Sequence, residues 1–289
     1  MSLETSYVPP YFPLSDEPAP CLLFIHHYNL LSDPRMDSWR RAIEQTVKPG
    51  DKVLDLGCGT GILSMIAARA GGEVTGVEID PHLTDYARHF IRKNRLDNRI
   101  NIINGDACQR DVCSGADVII CEMLDTGLIK ERQVQAMNSI LGGTMAPGCR
   151  IIPCRVNNFA MLCRTDYDFC GFTLPLPFFE TGEVRRTREN LSEAVIYQSL
   201  DLSRKNPEQV KVGMKIQANR PGIVNSIKIY SVTQLCPGIL CGPSNWFNPP
   251  LVLPAEPIEV KNKDILSLRL SYCMGGGLRT LDYEVTAHE

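Results

Sequence analysis

The chain reads as an α/β protein: a doubly wound parallel sheet followed by an all-β, barrel-like domain. Three observations carry that expectation. Residues 51–152 alternate short apolar strands with amphipathic helices, the pattern of a parallel sheet covered on both faces. Residues 51–61, Asp-Lys-Val-Leu-Asp-Leu-Gly-Cys-Gly-Thr-Gly, run an apolar strand straight into a Gly-rich turn. After Pro153 the helical periodicity fades, and short strands punctuated by Gly and Pro take over.

The elements follow in order. Residues 1–20, rich in Pro and polar side chains, are expected to form an extended arm. Helical spacing covers 21–29 and 37–45, interrupted at Ser32-Asp33-Pro34. Residues 21–153 are expected to form one domain, with strands at 52–56, 73–78, 100–104 and 116–121 and helices over 62–70 and 131–141. Residues 154–289 are expected to form the second, with strands at 155–163, 193–200, 210–217, 224–231, 251–253, 257–260, 264–272 and 279–286.

Composition narrows the class. Of 289 residues, 44% are hydrophobic and 22% charged, and the net charge is −3, the balance of an ordinary globular chain. No Lys/Arg run offers a nucleic-acid footprint, and no apolar run is long enough to span a membrane. The start, Met-Ser-Leu-Glu-Thr-Ser, lacks the basic and apolar regions of a secretion signal. Twelve cysteines are scattered with no Cys-x-x-Cys pair, so reduced thiols in the cytoplasm are expected rather than a zinc site. His26 and His27 have no evident third ligand, and no metal is expected.

The Gly-rich turn points to a cofactor. Gly57, Gly59 and Gly61 let the backbone turn sharply and approach a ligand. Asp55 precedes the turn, Glu78 ends the second strand, and Asp106 follows the third. A nicotinamide dehydrogenase also uses a Gly-rich turn and an acidic strand end, but its fingerprint is Gly-x-Gly-x-x-Gly with a pyrophosphate at a helix N-terminus. Here the glycines are spaced two and two, and no basic residue lies between Leu54 and Ala68, which suits a ligand without phosphates. The arrangement resembles a class I S-adenosylmethionine-dependent methyltransferase. That resemblance implies a Rossmann-like methyltransferase sheet, S-adenosyl-L-methionine as cofactor and S-adenosyl-L-homocysteine as its product.

The fourth strand leads into Glu122-Met-Leu-Asp125-Thr-Gly-Leu-Ile-Lys-Glu131. Two carboxylates nine positions apart at the mouth of a cofactor site suit a planar, cationic, multi-donor substrate. Guanidinium fits, because it meets both acids through paired N–H···O bonds. On these residues the chain resembles the protein arginine N-methyltransferases, over nearly all of 22–289, with a hairpin similar to that of the monomethylating branch. Ala146-Pro-Gly-Cys-Arg-Ile-Ile-Pro153 is similar to the family's inter-domain segment, and His27-Tyr-Asn-Leu-Leu-Ser-Asp33 with Arg35 and Trp39 to its helix leading into the cofactor site. The resemblance implies Glu122 and Glu131 as catalytic residues and Arg35 on the methionyl carboxylate. It also implies Glu78 on the ribose hydroxyls and Asp106 near the adenine, with His27, Asp55, Gly57, Gly59 and Gly61 completing the cofactor site. Asp125, Asn245 and Trp246 are candidate substrate contacts. Asp125 reads equally as a turn former, and Asp55 as a partner of the turn backbone.

Two departures stand out. Asn245 replaces the family's His in the loop around Trp246, and the insertion available for a dimerisation arm, 171–190, is short. Expected partners are therefore a protein, peptide or small guanidino substrate, with a homodimer open. The readings that remain are an arginine N-methyltransferase, a methyltransferase for free arginine or another small guanidino compound, and a catalytically silent binding homologue.

Overall fold

A computed structural model describes residues 27–109, 115–141, 145–182, 184–245 and 247–287. The arm expected over 1–20, His26 and Trp246 lie outside the described residues.

Five parallel strands form the first layer: β1 (Lys52–Leu56), β2 (Glu73–Glu78), β3 (Ile100–Asn104), β4 (Ala116–Cys121) and β5 (Met145–Ile152), in the order β3-β2-β1-β4-β5. β1 and β4 are apolar almost without a break, as strands buried on both faces must be, and Leu54, Leu56, Ile119 and Ile120 are fully enclosed. The order reverses between β1 and β4. Ligands of open α/β sheets bind outside the carboxyl ends of the strands at such a switch point.

Helix α1 (Arg35–Thr46) precedes β1, and α2 (Ile62–Arg69), α3 (Pro81–Lys93) and α4 (Gln133–Ile140) follow β1, β2 and β4. α3 has a well-defined start. Asp80 caps it, accepting from the backbone N–H groups of His82 (2.8 Å) and Leu83 (3.0 Å), and Pro81 occupies the first turn, where no N–H is needed. α4 begins at Gln133, so Glu131 stays in the loop ahead of it.

The second half is antiparallel. β6 (Arg155–Thr165) and the strands Gly222–Cys236 and Leu251–Val260 lie side by side in a seven-stranded sheet. A three-stranded sheet of Gln209–Gln217, Ile265–Cys273 and Asp282–Ala287 completes a barrel-like module. The Ser192–Ala218 bridge and a 2.7 Å bond from Tyr283 Oη to Pro254 O tie the two sheets. The expected break between 251–253 and 257–260 is absent. Pro254 and Pro257 ride within one strand, opposite a register shift at Val224/Ser226 where a ladder donor is not required. The strand expected from 279 starts at Asp282, because Leu278–Thr280 forms a 3₁₀ turn.

Candidate active site

A cavity of about 590 Å³ opens at the carboxyl ends of β1, β2 and β4. Glu78, Glu122 and Glu131 line it together with His27, Asp106 and Asn245. The structure therefore gathers residues spread over more than two hundred positions into one space.

The Gly-rich turn forms one wall. Gly57, Gly59 and Gly61 all have positive φ. A Cβ at Gly59 would stand 2.7 Å from His27 Cε1, and one at Gly57 would stand 3.0 Å from Met123 Cγ, so the turn closes only without side chains there. Gly61 faces away, against Ala87 of α3, and is not part of the wall.

Glu78 ends β2 as the sequence indicates. Its Oε2 accepts from Gly59 N at 2.8 Å and its Oε1 from Asp80 N at 2.9 Å. Each oxygen keeps a further acceptor site, which suits a vicinal diol. Burial pushes its pKa up, and the backbone donors oppose that shift. Asp106 is held below the usual range, first by the Cys108 N–H at 2.8 Å and then by the Arg132 guanidinium.

Asp55 is placed differently from a ligand contact. It is 1% exposed and sealed beneath the turn, where Ser64 Oγ donates to its Oδ2 at 2.5 Å. Its Oδ1 has no partner. Burial, reinforced by Glu122 and Glu78, raises its pKa to about 7.

Glu122 follows β4 directly and is mostly enclosed. Arg35, the first residue of α1, sets its Nη1 at 3.1 Å from Oε1 and its Nη2 at 3.4 Å from Oε2. Desolvation raises the Glu122 pKa in spite of that cation. Arg35 does not line the cavity. It lies one layer behind, with its guanidinium 4.1 Å from the Phe247 ring centroid and its backbone N–H on Asp33 Oδ1 at 2.9 Å. Asp33 Oδ2 in turn accepts from Ser244 Oγ at 2.8 Å, fastening α1 to the barrel loop that carries Asn245.

Asp125 lines the cavity, yet its carboxylate is committed to the chain. Oδ2 accepts from Lys130 N at 3.0 Å and Oδ1 from Glu131 N at 3.1 Å, so it clasps the two arms of the 122–131 hairpin. The turn-former reading describes these bonds. Burial raises its pKa to about 6, with the two backbone donors opposing. Glu131 is exposed at the rim. Asn245 accepts from Gly182 N at 2.8 Å and ties that glycine beside the cavity.

Several participants escaped the sequence. Asp33 carried a signal in Asp33-Pro34, a helix-start pattern. Phe179 and Phe247, which face the cavity, carried none, because barrel aromatics look alike until the sheet is assembled. Among the described residues, no group of three His, Cys, Asp or Glu is placed to hold a metal ion.

Comparison with known proteins follows the same division of the chain. Residues 40–146 match the family model for ribosomal protein L11 methyltransferase (PrmA). The chain is 35% identical over 257 residues to the uncharacterized protein MJ1452 of Methanocaldococcus jannaschii, covering 88% of this chain and 94% of that one. It is 30% identical over 156 residues to protein arginine N-methyltransferase 7 of Oryza sativa subsp. japonica, covering 49% of this chain and 22% of that one. The fold is similar to a chain of the Trypanosoma brucei PRMT1 enzyme–prozyme heterotetrameric complex with AdoHcy. That match has a TM-score of 0.77 and 20% identity, over 91% of this chain and 93% of that chain. The sheet and barrel are those of a methyltransferase.

Proposed function

We propose that this chain, which belongs to the family of the methanogen protein MJ1452 and is built as a methyltransferase served by S-adenosylmethionine, methylates the guanidinium of arginine in a protein or peptide. The observation that carries the reading is Glu122. It stands at the switch point of the sheet, already meets a guanidinium with both oxygens, and shares one cavity with Glu131 and the Gly-rich turn.

When bound, S-adenosylmethionine supplies an electrophilic sulfonium methyl group. The residues present fit it. The turn leaves a wall free of side chains, and Glu78 has acceptor sites for the ribose hydroxyls. Asp106 stands beside Cys108 for the adenine end. Arg35, one layer behind the cavity wall, with His27 lining the cavity ahead of it, would serve the methionyl carboxylate.

On the substrate side, Glu122 and Glu131 would accept the guanidinium N–H groups. Paired acceptance draws positive charge toward the nitrogens they hold and leaves the third more nucleophilic. S-adenosylmethionine would supply its methyl to that third nitrogen, the C–S bond breaking as the N–C bond forms, with S-adenosylhomocysteine leaving and the nitrogen's proton passing to solvent. Proximity and alignment are the main demands of such a displacement. Asn245 and the loop bearing Trp246 would bound the substrate. A second cavity of about 340 Å³ shares Asn245 and is lined by Glu180, Arg185 and Lys228, giving polar room for chain flanking the target residue. That room favours a peptide over free arginine. The likeness of the hairpin to the monomethylating branch supports a single methyl per guanidinium.

The excursion at 166–177 supports self-association, since Phe172, Leu174 and Leu176 are all exposed on it. The ten described cysteines are free thiols, which supports a reducing cytoplasm.

The test is incubation with labelled S-adenosylmethionine and, separately, an Arg-rich peptide, its Lys-substituted counterpart and free arginine, with products read by mass. Methylarginine in the first peptide is the expected result. A preference for the Lys peptide would refute the reading, because an ammonium cannot bridge two acids in a planar fork.

A further inference from the structure

The tip of the acidic hairpin is held by the barrel and not by its own strand. Gly127, in the 3₁₀ turn Thr126–Leu128, has both of its backbone groups taken by barrel side chains. Its N–H donates to Ser231 Oγ at 2.8 Å, and its carbonyl accepts from Tyr272 Oη at 2.8 Å. Both partners are anchored further back. Ser231 Oγ donates to Asn158 Oδ1 at 2.7 Å, and Asn158 Nδ2 donates to Gln198 Oε1 at 2.9 Å. Tyr272 Oη lies 3.0 Å from Tyr197 Oη. Ser231, Tyr272, Tyr197 and Asn158 are all buried.

The backbone at this point needs such a hold. Gly127 has φ of 68° and Leu128 has φ of 56°, a conformation that a bulky residue adopts only under constraint. Two further carbonyls complete the constraint. Leu128 O accepts from Gly275 N at 3.0 Å, and Ile129 O accepts from Gly277 N at 2.9 Å. A side chain at Gly127 would be strained as well, since its φ is positive and a Cβ would lie 3.0 Å from Tyr197 Oη and 3.2 Å from Tyr272 Oη.

We propose that Ser231 and Tyr272 are positioning residues: through Gly127 they fix the loop that separates Glu122 from Glu131, so that the barrel sets the spacing of the acidic pair. Asp125 then clasps the hairpin from inside, and the barrel orients it from outside. Nothing in the local sequence around the hairpin records this dependence. The proposal rests on the reading of Glu122 and Glu131 as the catalytic acids.

Ser231→Ala and Tyr272→Phe each remove one oxygen and test it in the full chain. Hydrogen–deuterium exchange of the segment 122–131 is expected to rise ten-fold or more in both, with exchange in β1 unchanged. Turnover on an Arg-rich peptide is expected to fall at least ten-fold, while the dissociation constant for S-adenosylhomocysteine stays within two-fold. Ser231→Thr, which keeps the hydroxyl, is expected to restore both readouts. Should Ser231→Ala lose its fold, Tyr272→Phe carries the same test. Wild-type exchange in 122–131, or raised exchange with wild-type turnover, would overturn the proposal. The exchange data decide the tie by themselves, so a wild-type protein inactive on arginine would refute only the proposed reaction.

Discussion

Asp55 offers the sharpest test of the electrostatics beneath the cofactor wall. Its carboxyl is sealed under the Gly-rich turn with one oxygen on Ser64 and the other unpartnered, and its pKa is raised from 3.8 to about 7. A group whose folded pKa lies above its unfolded value contributes stability that is fully present below the unfolded pKa. That stability is lost as pH rises through the folded one. The window is therefore about pH 4 to 7. At about 1.4 kcal/mol per unit, ionising Asp55 in place costs the fold about 4 kcal/mol at pH 8 and about 2 kcal/mol at pH 5, relative to strong acid. Asp55→Asn keeps the shape and an acceptor for Ser64 but cannot ionise. Relative to wild type, the variant is expected to gain about 2–3 kcal/mol between pH 5 and pH 8. Urea unfolding of both proteins at the two pH values reads this directly, with linear extrapolation giving each stability. Calorimetry with S-adenosylhomocysteine should show affinities within two-fold, since Asp55 lies below the cavity wall. Wild-type and variant stabilities that run parallel from pH 5 to pH 8 would refute the buried-acid account. A large loss of affinity would restore Asp55 as a cofactor contact.

Three further outcomes are expected. Glu122→Gln should cut turnover on an arginine peptide by an amount on the order of 2–5 kcal/mol in activation free energy, and Glu131→Gln, at the exposed rim, by less, with S-adenosylhomocysteine binding nearly intact. Removing one partner leaves a desolvated guanidinium under-satisfied, and steady-state kinetics beside calorimetry would expose an equal loss in both. Glu78→Ala should weaken S-adenosylhomocysteine by about 1.5–3 kcal/mol, the usual contribution of hydrogen bonds to a charged acceptor, and unchanged affinity would exclude Glu78 from the ribose site. Phe172→Asp combined with Leu176→Asp should lower the mass seen by light scattering if the exposed excursion joins two copies; an unaltered dimer would move the interface elsewhere.

The sequence determined whatever is encoded by neighbours along the chain. Val-Leu-Asp-Leu running into Gly57-Cys-Gly-Thr-Gly61 dictates strand, turn and helix, because apolar runs, positive φ and chain direction are all local properties. The parallel sheet followed by a β module was legible for the same reason, and so was the nine-position spacing of Glu122 and Glu131. Only the tertiary structure could assign partners. Asp125 read equally as a substrate acid and as a turn former until its oxygens were found on the Lys130 and Glu131 amides. Arg35 was expected on a cofactor carboxylate, and Glu122, which follows a strand far along the chain, came to meet it. Gly127 has no local feature to say that Ser231 and Tyr272 hold it. A carboxylate, a guanidinium or a hydroxyl can take any of several partners, and the fold decides which stands within three ångströms. Sequence names the groups that can do chemistry. Distance and burial, which exist only once the sheet and barrel close on each other, decide which of them are held in place to do it.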